Sequence, residues 1–321
     1  WKPKMEILER DGGNKFYSWM LRVKNSLSRR ISERLPYPES GLLEGLLLGG
    51  DGGLSKSVQE DFSRTGMSHI TAVSGYNVTI IAQYLILLGI FLGLWRRQAF
   101  WLAILGIFIF IFLIGFPASA VRAGIMGSLI LIAMKNGRLA SSENAIVFSG
   151  AFMLLLNPLL LRYDIGFQLS FLATIGIVVI YPFFNDYLIR KQKILSAPFE
   201  ILCLTLSAQI FVLPIIFYNF ETLSLISPLA NLLVHPIIPF TMLLGFLLIV
   251  SSIVFSPLAA IFSWLTYLPL RFETFVISFL AGFQFSSVEV SFPGWEVWAW
   301  YLVFVASIFI IRKSKKLRIN E

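Results

Sequence analysis

Long apolar runs restrict the fold of this 321-residue sequence more than any other feature. Several of them reach roughly 17 to 25 residues, the length that an α-helix needs to cross a hydrocarbon core about 30 Å thick. Inside a bilayer each backbone amide must find its partner within the segment, so these runs are expected to be helices. Composition agrees, because only 14% of the residues are charged and a soluble domain needs more charge to cover its surface. We therefore predict an all-α integral membrane protein.

The runs predict a polytopic bundle of about nine spans, within a range of roughly eight to eleven. Pro228, Pro236 and Pro239 fall inside one long run and predict a broken helix there. Arg271 and Glu273 interrupt another run, which is expected to kink or to lie partly at the interface. The predicted spans are residues 69–94, 98–116, 119–134, 145–161, 165–184, 199–218, 226–255, 257–282 and 297–311.

Basic residues occur in alternate loops, and this alternation predicts the orientation. Cytoplasmic loops carry the excess of Lys and Arg in membrane proteins. Assigning the four basic loops to the cytoplasm leaves the N-terminal segment outside and the C-terminus inside. These loops hold Arg96 with Arg97, Lys135 with Arg138, the basic residues of 190–193, and those of 312–318.

The chain is expected to comprise a polar tail (1–14), an amphipathic helix (15–37), a membrane domain (38–312) and a basic cytoplasmic tail (313–321). The sequence begins at Trp1, and the polar tail is interpreted as the end of a larger external domain. Residues 15–37 carry apolar side chains at helical spacing and arginines on the other faces, which favours a helix lying flat on the membrane. An ordinary surface helix of the external domain is the alternative. A short apolar run before the first span predicts a half-helix, a re-entrant segment or a helix packed on the bundle.

Polar side chains inside the spans are costly in a membrane and so mark candidate functional positions. Most fall in the first turns of predicted spans that run inward, which predicts a polar vestibule opening outward. Arg122 is the strongest of them, because a guanidinium cannot lose its proton and needs an anion, carbonyls or water. Interhelical hydrogen bonding is the alternative role for the neutral ones. The candidate residues are His69, Ser74, Gly75, Tyr76, Asn77, Ser119, Arg122, Gln168, Ser170, Gln209, Asn231 and His235.

The sequence has few of the residues that usually bind metals. Cys203 is the only cysteine, and His69 and His235 are the only histidines. Zinc sites usually draw three or four ligands from such residues. We therefore expect neither a metal nor a cofactor, and no catalytic residues.

Three motifs resemble those of the ComEC competence family. Residues 64–75 (RTGMSHITAVSG) are similar to the family signature tGlsHilaiSG, and residues 119–126 (SAVRAGIM) to S-x-x-RA-x-iM. Asn157-Pro158 followed by residues 164–173 (DIGFQLSFLA) is similar to NP…GFqLSflA. The three occur in the family's order and the resemblance covers roughly residues 15 to 310. One departure is Asn77, where many relatives have a histidine.

The resemblance implies a channel that conducts single-stranded DNA inward across the cytoplasmic membrane during natural transformation. It implies that residues 1–14 end an external oligonucleotide-binding-like domain, and that a nuclease domain found in many relatives is absent from this sequence. The implied partners are single-stranded DNA, the bilayer, and the DNA receptor, nuclease and cytoplasmic motor proteins of an uptake machinery.

Two other functions remain open from the residues alone. One is a membrane enzyme acting on lipid or polyprenyl substrates, for which His69, Asp51, Glu60 and Asp61 could supply acid–base groups. The other is a secondary transporter for a small anion, with its site at the broken helix. The sequence shows no paired-carboxylate motif and no inverted repeat of interrupted spans, which disfavours both.

Overall fold

The computed structural model describes residues 15–50, 53–136, 141–184, 197–220, 222–289, 296 and 299–302. These residues form a helical bundle with one short two-stranded sheet, so the predicted all-α polytopic membrane fold is confirmed. The polar tail, the basic tail and most of the predicted span 297–311 lie outside the described residues.

Four helices precede the long ones and hold the first motif in place. They are α1 (Lys15–Ser32), α2 (Glu39–Leu48), α3 (Lys56–Arg64) and α4 (Ser68–Thr71).

Four of the long helices are long and apolar enough to cross a membrane: α6 (Arg96–Ile114), α7 (Ala118–Lys135), α10 (Ile165–Phe184) and α11 (Ala197–Phe220). A fifth candidate is the pair α12 (Ser227–Val234) and α13 (Ile238–Val254), which bends by 50° at the break between them. The broken helix predicted from the prolines is therefore confirmed. Three shorter helices are α5 (Gly75–Phe91), α8 (Ser142–Leu156) and α9 (Leu160–Tyr163), and the remaining helix, α14 (Ser256–Ala281), has 26 residues.

Three predicted spans have a different form in the structure. The run 145–161 is divided between α8 and α9. The first predicted span, 69–94, is divided, because α4 ends at Thr71 and α5 begins at Gly75. The run 257–282 is one unbroken helix, α14, in which Pro269 lies inside the helix and Arg271 and Glu273 lower its hydropathy. It is not among the helices that are apolar enough to span.

Helix α2 lies in the centre of the described bundle. Nine of its ten residues are buried, and Leu42, Leu43 and Leu46 are completely buried. Gly45 permits this packing, because a Cβ atom there would lie 2.9 Å from the carbonyl oxygen of Thr71. Of the three possibilities that the short apolar run left open, the structure shows packing against the bundle.

Helix α1 is amphipathic, as predicted, and its apolar side packs on the bundle. Met20 and Ile31 are buried. Arg30 donates a hydrogen bond to the carbonyl oxygen of Ser252 at 2.8 Å, and Arg34 donates to the hydroxyl of Ser256 at 2.6 Å. These contacts tie the C-terminal end of α1 to the junction of α13 and α14.

A short antiparallel sheet joins two connecting segments that the sequence predicts on the same side of the membrane. Strand β1 (Thr222–Ser224) pairs with β2 (Ser287–Glu289), with Leu223 opposite Val288. On another pair of helices, the Lys135 ammonium at the end of α7 lies 4.3 Å from the ring centre of Trp101 on α6.

Candidate functional site

Arg122 lies in the second turn of α7, and its side chain is 9% exposed. Its Nε donates to the hydroxyl of Ser170 and its Nη1 to the hydroxyl of Thr174, both on α10. The guanidinium carbon lies 5.7 Å from the ring centre of Phe171. All of these partners are neutral, and no carboxylate in the described ranges forms an ion pair with Arg122. A buried cation without a counter-charge is costly in a membrane protein and attracts an anion strongly.

Gly75, the first residue of α5, provides the space for the guanidinium. A Cβ atom at Gly75 would lie 3.1 Å from Nη2 of Arg122 and 3.3 Å from the Cβ of Ala123. Such distances are tighter than usual, so any side chain at this position would press on the guanidinium. The first motif and the second therefore meet at this glycine.

Three side-chain hydrogen bonds fix the start of α5 next to α2 and α7. Asn77, which is 2% exposed, donates from Nδ2 to the carbonyl oxygen of Leu46 at 3.0 Å. The hydroxyl of Ser74 donates to Oδ1 of Asn77 at 3.0 Å, and that of Ser119 donates to the carbonyl oxygen of Val73 at 2.8 Å. The first turns of α5, α7 and α10 thus form one connected polar cluster around Arg122.

One of the two histidines of the sequence, His235, stacks on the residue that follows Gly75. The rings of Tyr76 and His235 stack with their centres 4.0 Å apart, and the Tyr76 hydroxyl lies 3.5 Å from the carbonyl oxygen of His235. The Nδ1 of His69 lies 3.0 Å from the carbonyl oxygen of Gly66. A carbonyl can only accept, so Nδ1 carries the hydrogen of that bond.

The remaining predicted residues have their contacts elsewhere. Gln168 donates to the carbonyl oxygen of Leu161 at 2.8 Å, at the connection between α9 and α10. Asn231 donates to the hydroxyl of Ser227 at 3.3 Å, within α12. Gln209 is half-buried on α11. The predicted set therefore divides into an Arg122 cluster, the Tyr76–His235 stack, and four residues whose contacts lie elsewhere: His69, Gln168, Gln209 and Asn231.

Thr174 belongs to the Arg122 cluster, and sequence reasoning missed it. Its hydroxyl donates to the carbonyl oxygen of Ser170 at 2.9 Å, so the lone pairs of the hydroxyl remain for Arg122. Residues four apart lie on the same face of a helix. The spacing from Ser170, which the motif had already marked, was the signal that could have identified it.

The family described as Competence protein matches residues 46–315. That range is most of the chain and includes every residue of the Arg122 cluster. The chain belongs to the Competence protein family. It is also similar to ComE operon protein 3 of Bacillus subtilis (strain 168), with 28% identity over 249 residues, or 76% of this chain. The chain spans about a third of that relative, 31% of its length. No solved structure shows a significant match.

Two of the acid–base groups that the enzyme alternative needs have other surroundings in the described part of this Competence protein. Asp61 accepts a hydrogen bond from the hydroxyl of Ser278 at 2.9 Å, Glu60 is exposed on α3, and Asp51 lies outside the described residues. In the part of the chain that the structure describes, no three His, Cys, Asp or Glu residues lie close enough to hold a metal ion.

Asn77 offers a test of the connection between α5 and α2 in this Competence protein. Asp has the shape of Asn, but a carboxylate has no hydrogen to donate to the Leu46 carbonyl oxygen. Asn77→Asp is therefore expected to lower the free energy of unfolding by about 1–3 kcal/mol, the usual cost of an unsatisfied buried polar group. The measurement is thermal unfolding of the purified membrane protein.

The same substitution at Asn219 serves as a control. Asn219 also donates to a backbone carbonyl, that of Ile215 at 2.9 Å, but it is exposed, so water can replace the lost bond. Asn219→Asp is expected to leave the unfolding temperature nearly unchanged. Equal effects of the two substitutions would contradict a structural role for the Asn77–Leu46 bond.

Proposed function

We propose that this chain is the channel domain that conducts single-stranded DNA inward across the cytoplasmic membrane during natural transformation. The observation that carries the proposal is the buried Arg122, whose partners are all neutral. Membership of the Competence protein family and the similarity to ComE operon protein 3 support a role in competence. The multi-pass helical fold supports a function within the membrane.

A single buried cation is suited to the conduction of a polyanion, because it attracts the polyanion without binding it tightly. Conduction requires sites that attract the substrate yet release it. The hydroxyls of Ser170 and Thr174 hold Arg122 in place without neutralising it, so its charge remains for a phosphate. A row of arginines would bind the backbone of a strand tightly and hold it.

Arg122 is covered in the described conformation, so conduction requires the helices around it to separate. The segment just before α5 is bound to α7 through the hydroxyl of Ser119, whereas α10 is bound to α7 through the Arg122 side chain itself. A phosphate that replaces Ser170 and Thr174 as the partner of Arg122 would release α10 from α7. The phosphate–Arg122 interaction thus offsets the cost of separating α10 from α7.

The stacked pair of Tyr76 and His235 supplies a place for bases in the same proposal. Aromatic side chains bind the bases of single strands by stacking, without sequence preference. A base would replace the His235 ring on the face of Tyr76, exchanging one stack for another. The proposed path therefore has a phosphate contact at Arg122 and a base contact at Tyr76.

The orientation and partners belong to the proposal as well. With the N-terminal segment outside and the C-terminus in the cytoplasm, the Arg122 cluster lies in the outer half of the bundle, where DNA arrives. An external DNA receptor and nuclease would deliver a single strand to it, and cytoplasmic motor proteins would draw the strand inward.

The direct test is DNA import by competent cells that lack their own channel and carry this chain within its full-length parent protein. Labelled single strands are expected to appear in the cytoplasm, protected from added nuclease, only in complemented cells. Complemented cells that insert the protein at normal abundance but import no label would contradict the proposal. That outcome would favour the membrane-enzyme function.

A further inference from the structure

Glu273 is a completely buried carboxyl group on α14 that faces α13. Its exposed fraction is 0%. One oxygen, Oε1, lies 2.6 Å from the hydroxyl oxygen of Thr241 on α13. The other oxygen, Oε2, is buried and has no hydrogen-bond partner within the described residues. Buried polar atoms almost always have a partner, so an unpartnered carboxyl oxygen needs an explanation.

No cation in the described ranges compensates for a negative charge on Glu273. The nearest along the chain is Arg271, but its guanidinium is bound to Glu39 of α2 at 3.1 Å. Helices α12 and α13 contain no acidic or basic side chain between Ser227 and Val254 apart from His235 at their junction.

The other helices packed on the α13–α14 hairpin direct their charges elsewhere. From α3, Asp61 accepts from Ser278, and Arg64 donates to the carbonyl oxygen of Phe283, near the end of α14. From α1 and the turn after it, Arg30 and Arg34 reach the opposite end of the hairpin. Glu44, the second acid of α2, is half-buried, and one of its carboxyl oxygens lies 3.0 Å from the position that a Cβ atom at Gly53 would occupy. Helix α5 carries no acidic or basic side chain.

The hydroxyl of Thr241 shows which form of Glu273 fits the contact. This hydroxyl has one hydrogen and two neighbouring acceptors, Oε1 of Glu273 and the carbonyl oxygen of Ile237, which is 3.3 Å away. If Glu273 holds a proton, its O–H donates to Thr241, and Thr241 donates to Ile237. Every hydrogen then has an acceptor. If Glu273 is ionised, Thr241 can donate its single hydrogen to only one of the two carboxylate oxygens. The negative charge then has no cationic partner among the described residues, and a buried charge of this kind costs several kcal/mol.

We propose that Glu273 is a proton-binding site, occupied at neutral pH, between α13 and α14. Releasing the proton breaks the O–H bond, passes the proton to water and leaves a carboxylate, so water must enter between the two helices. Carboxyl groups that gain and lose protons inside membrane proteins are the chemistry of proton relays. The site stands on its own geometry and does not depend on whether the chain carries DNA.

Infrared spectroscopy of the full-length protein at neutral pH tests this site. The spectrum of the wild type is expected to contain the carbonyl band of a protonated carboxylic acid, and Glu273→Gln is expected to lose it. The matched control is Glu39→Gln, which removes an equally buried glutamate that is paired with Arg271 and should leave the band in place. Identical acid bands in the wild type and Glu273→Gln would overturn the proposal.

A second variant tests the site without removing the acid. Thr241→Val keeps the size of the side chain but takes away the acceptor of the proposed O–H bond. The acid band is expected to remain and to shift in frequency, because its hydrogen bond is lost. A band that does not move in Thr241→Val would assign the protonated acid to another residue and overturn the proposal. Neither infrared measurement depends on DNA import, so the proton-binding site can be tested even if the import experiment fails.

Discussion

Replacing Arg122 with Gln is expected to reduce DNA import by roughly 10- to 150-fold. Gln keeps hydrogen-bond donors that can reach Ser170 or Thr174 but removes the positive charge. A hydrogen bond to a charged group contributes about 1.5–3 kcal/mol, and each 1.4 kcal/mol corresponds to about a tenfold change. DNA import by Arg122→Lys is expected to lie between that of the wild type and that of Arg122→Gln, because an ammonium keeps the charge but cannot reproduce the planar fork of the guanidinium. Import of labelled DNA, at matched abundance in the membrane, measures both.

Arg162 provides the matched control for this experiment. It is an exposed arginine on α9, whose guanidinium carbon lies 5.5 Å from the ring centre of Tyr163. Arg162→Gln removes the same charge from the surface and is expected to change import little. Normal import by Arg122→Gln would contradict the role proposed for the buried charge, and equal losses in both variants would point to general surface attraction.

Replacing Gly66 with Ala is expected to lower the free energy of unfolding by roughly 2–5 kcal/mol, for two separate reasons. Gly66 has φ of +69°, a left-handed conformation that costs other residues about 1–2 kcal/mol. A Cβ atom there would also lie 2.7 Å from the Cβ of Ser227 on α12, and overpacking of this kind costs about 1–3 kcal/mol. The expected result is a lower unfolding temperature and less folded protein in the membrane.

Gly93 separates the two contributions. Its φ is +80°, but no atom lies within 4 Å of the position that its Cβ would occupy. Gly93→Ala should therefore show the backbone cost alone. Adding Ser227→Gly to Gly66→Ala removes the nearest obstacle and should recover part of the loss. If Gly66→Ala and Gly93→Ala have the same effect, or if Ser227→Gly recovers nothing, the close approach of Gly66 to α12 does not matter for stability.

Features that depend on neighbouring residues could be predicted from the sequence. The break between α12 and α13 follows from prolines at 236 and 239, which remove backbone donors and cannot continue a regular helix. Arg122 was identifiable because a permanent cation in an apolar run is costly wherever it points. The amphipathic pattern of α1 likewise predicted a helix with one apolar side, although that pattern does not distinguish lipid from protein as the covering surface.

Features that depend on distant contacts could not be predicted. The unpartnered oxygen of Glu273 becomes visible only when α13 is placed against α14, since no local pattern states which helix will face it. The same holds for Glu39, which meets Arg271 across 232 residues of sequence. Strands β1 and β2 are three residues each, too short for an alternating pattern to indicate a strand.

The central position of α2 determines when the domain can be completed during synthesis. Leu43 and Leu47 of α2 pack directly against Gly245 of α13. Glu39 of α2 pairs with Arg271 of α14, which is synthesised 232 residues later. At about 5–20 residues per second, the ribosome needs roughly 10–45 s to supply these partners. During that interval α2, an apolar segment too short to span the bilayer, lacks the helices against which it packs in the folded domain. Folding around α2 is therefore completed only when α13 and α14, which are made much later than α2, pack against it.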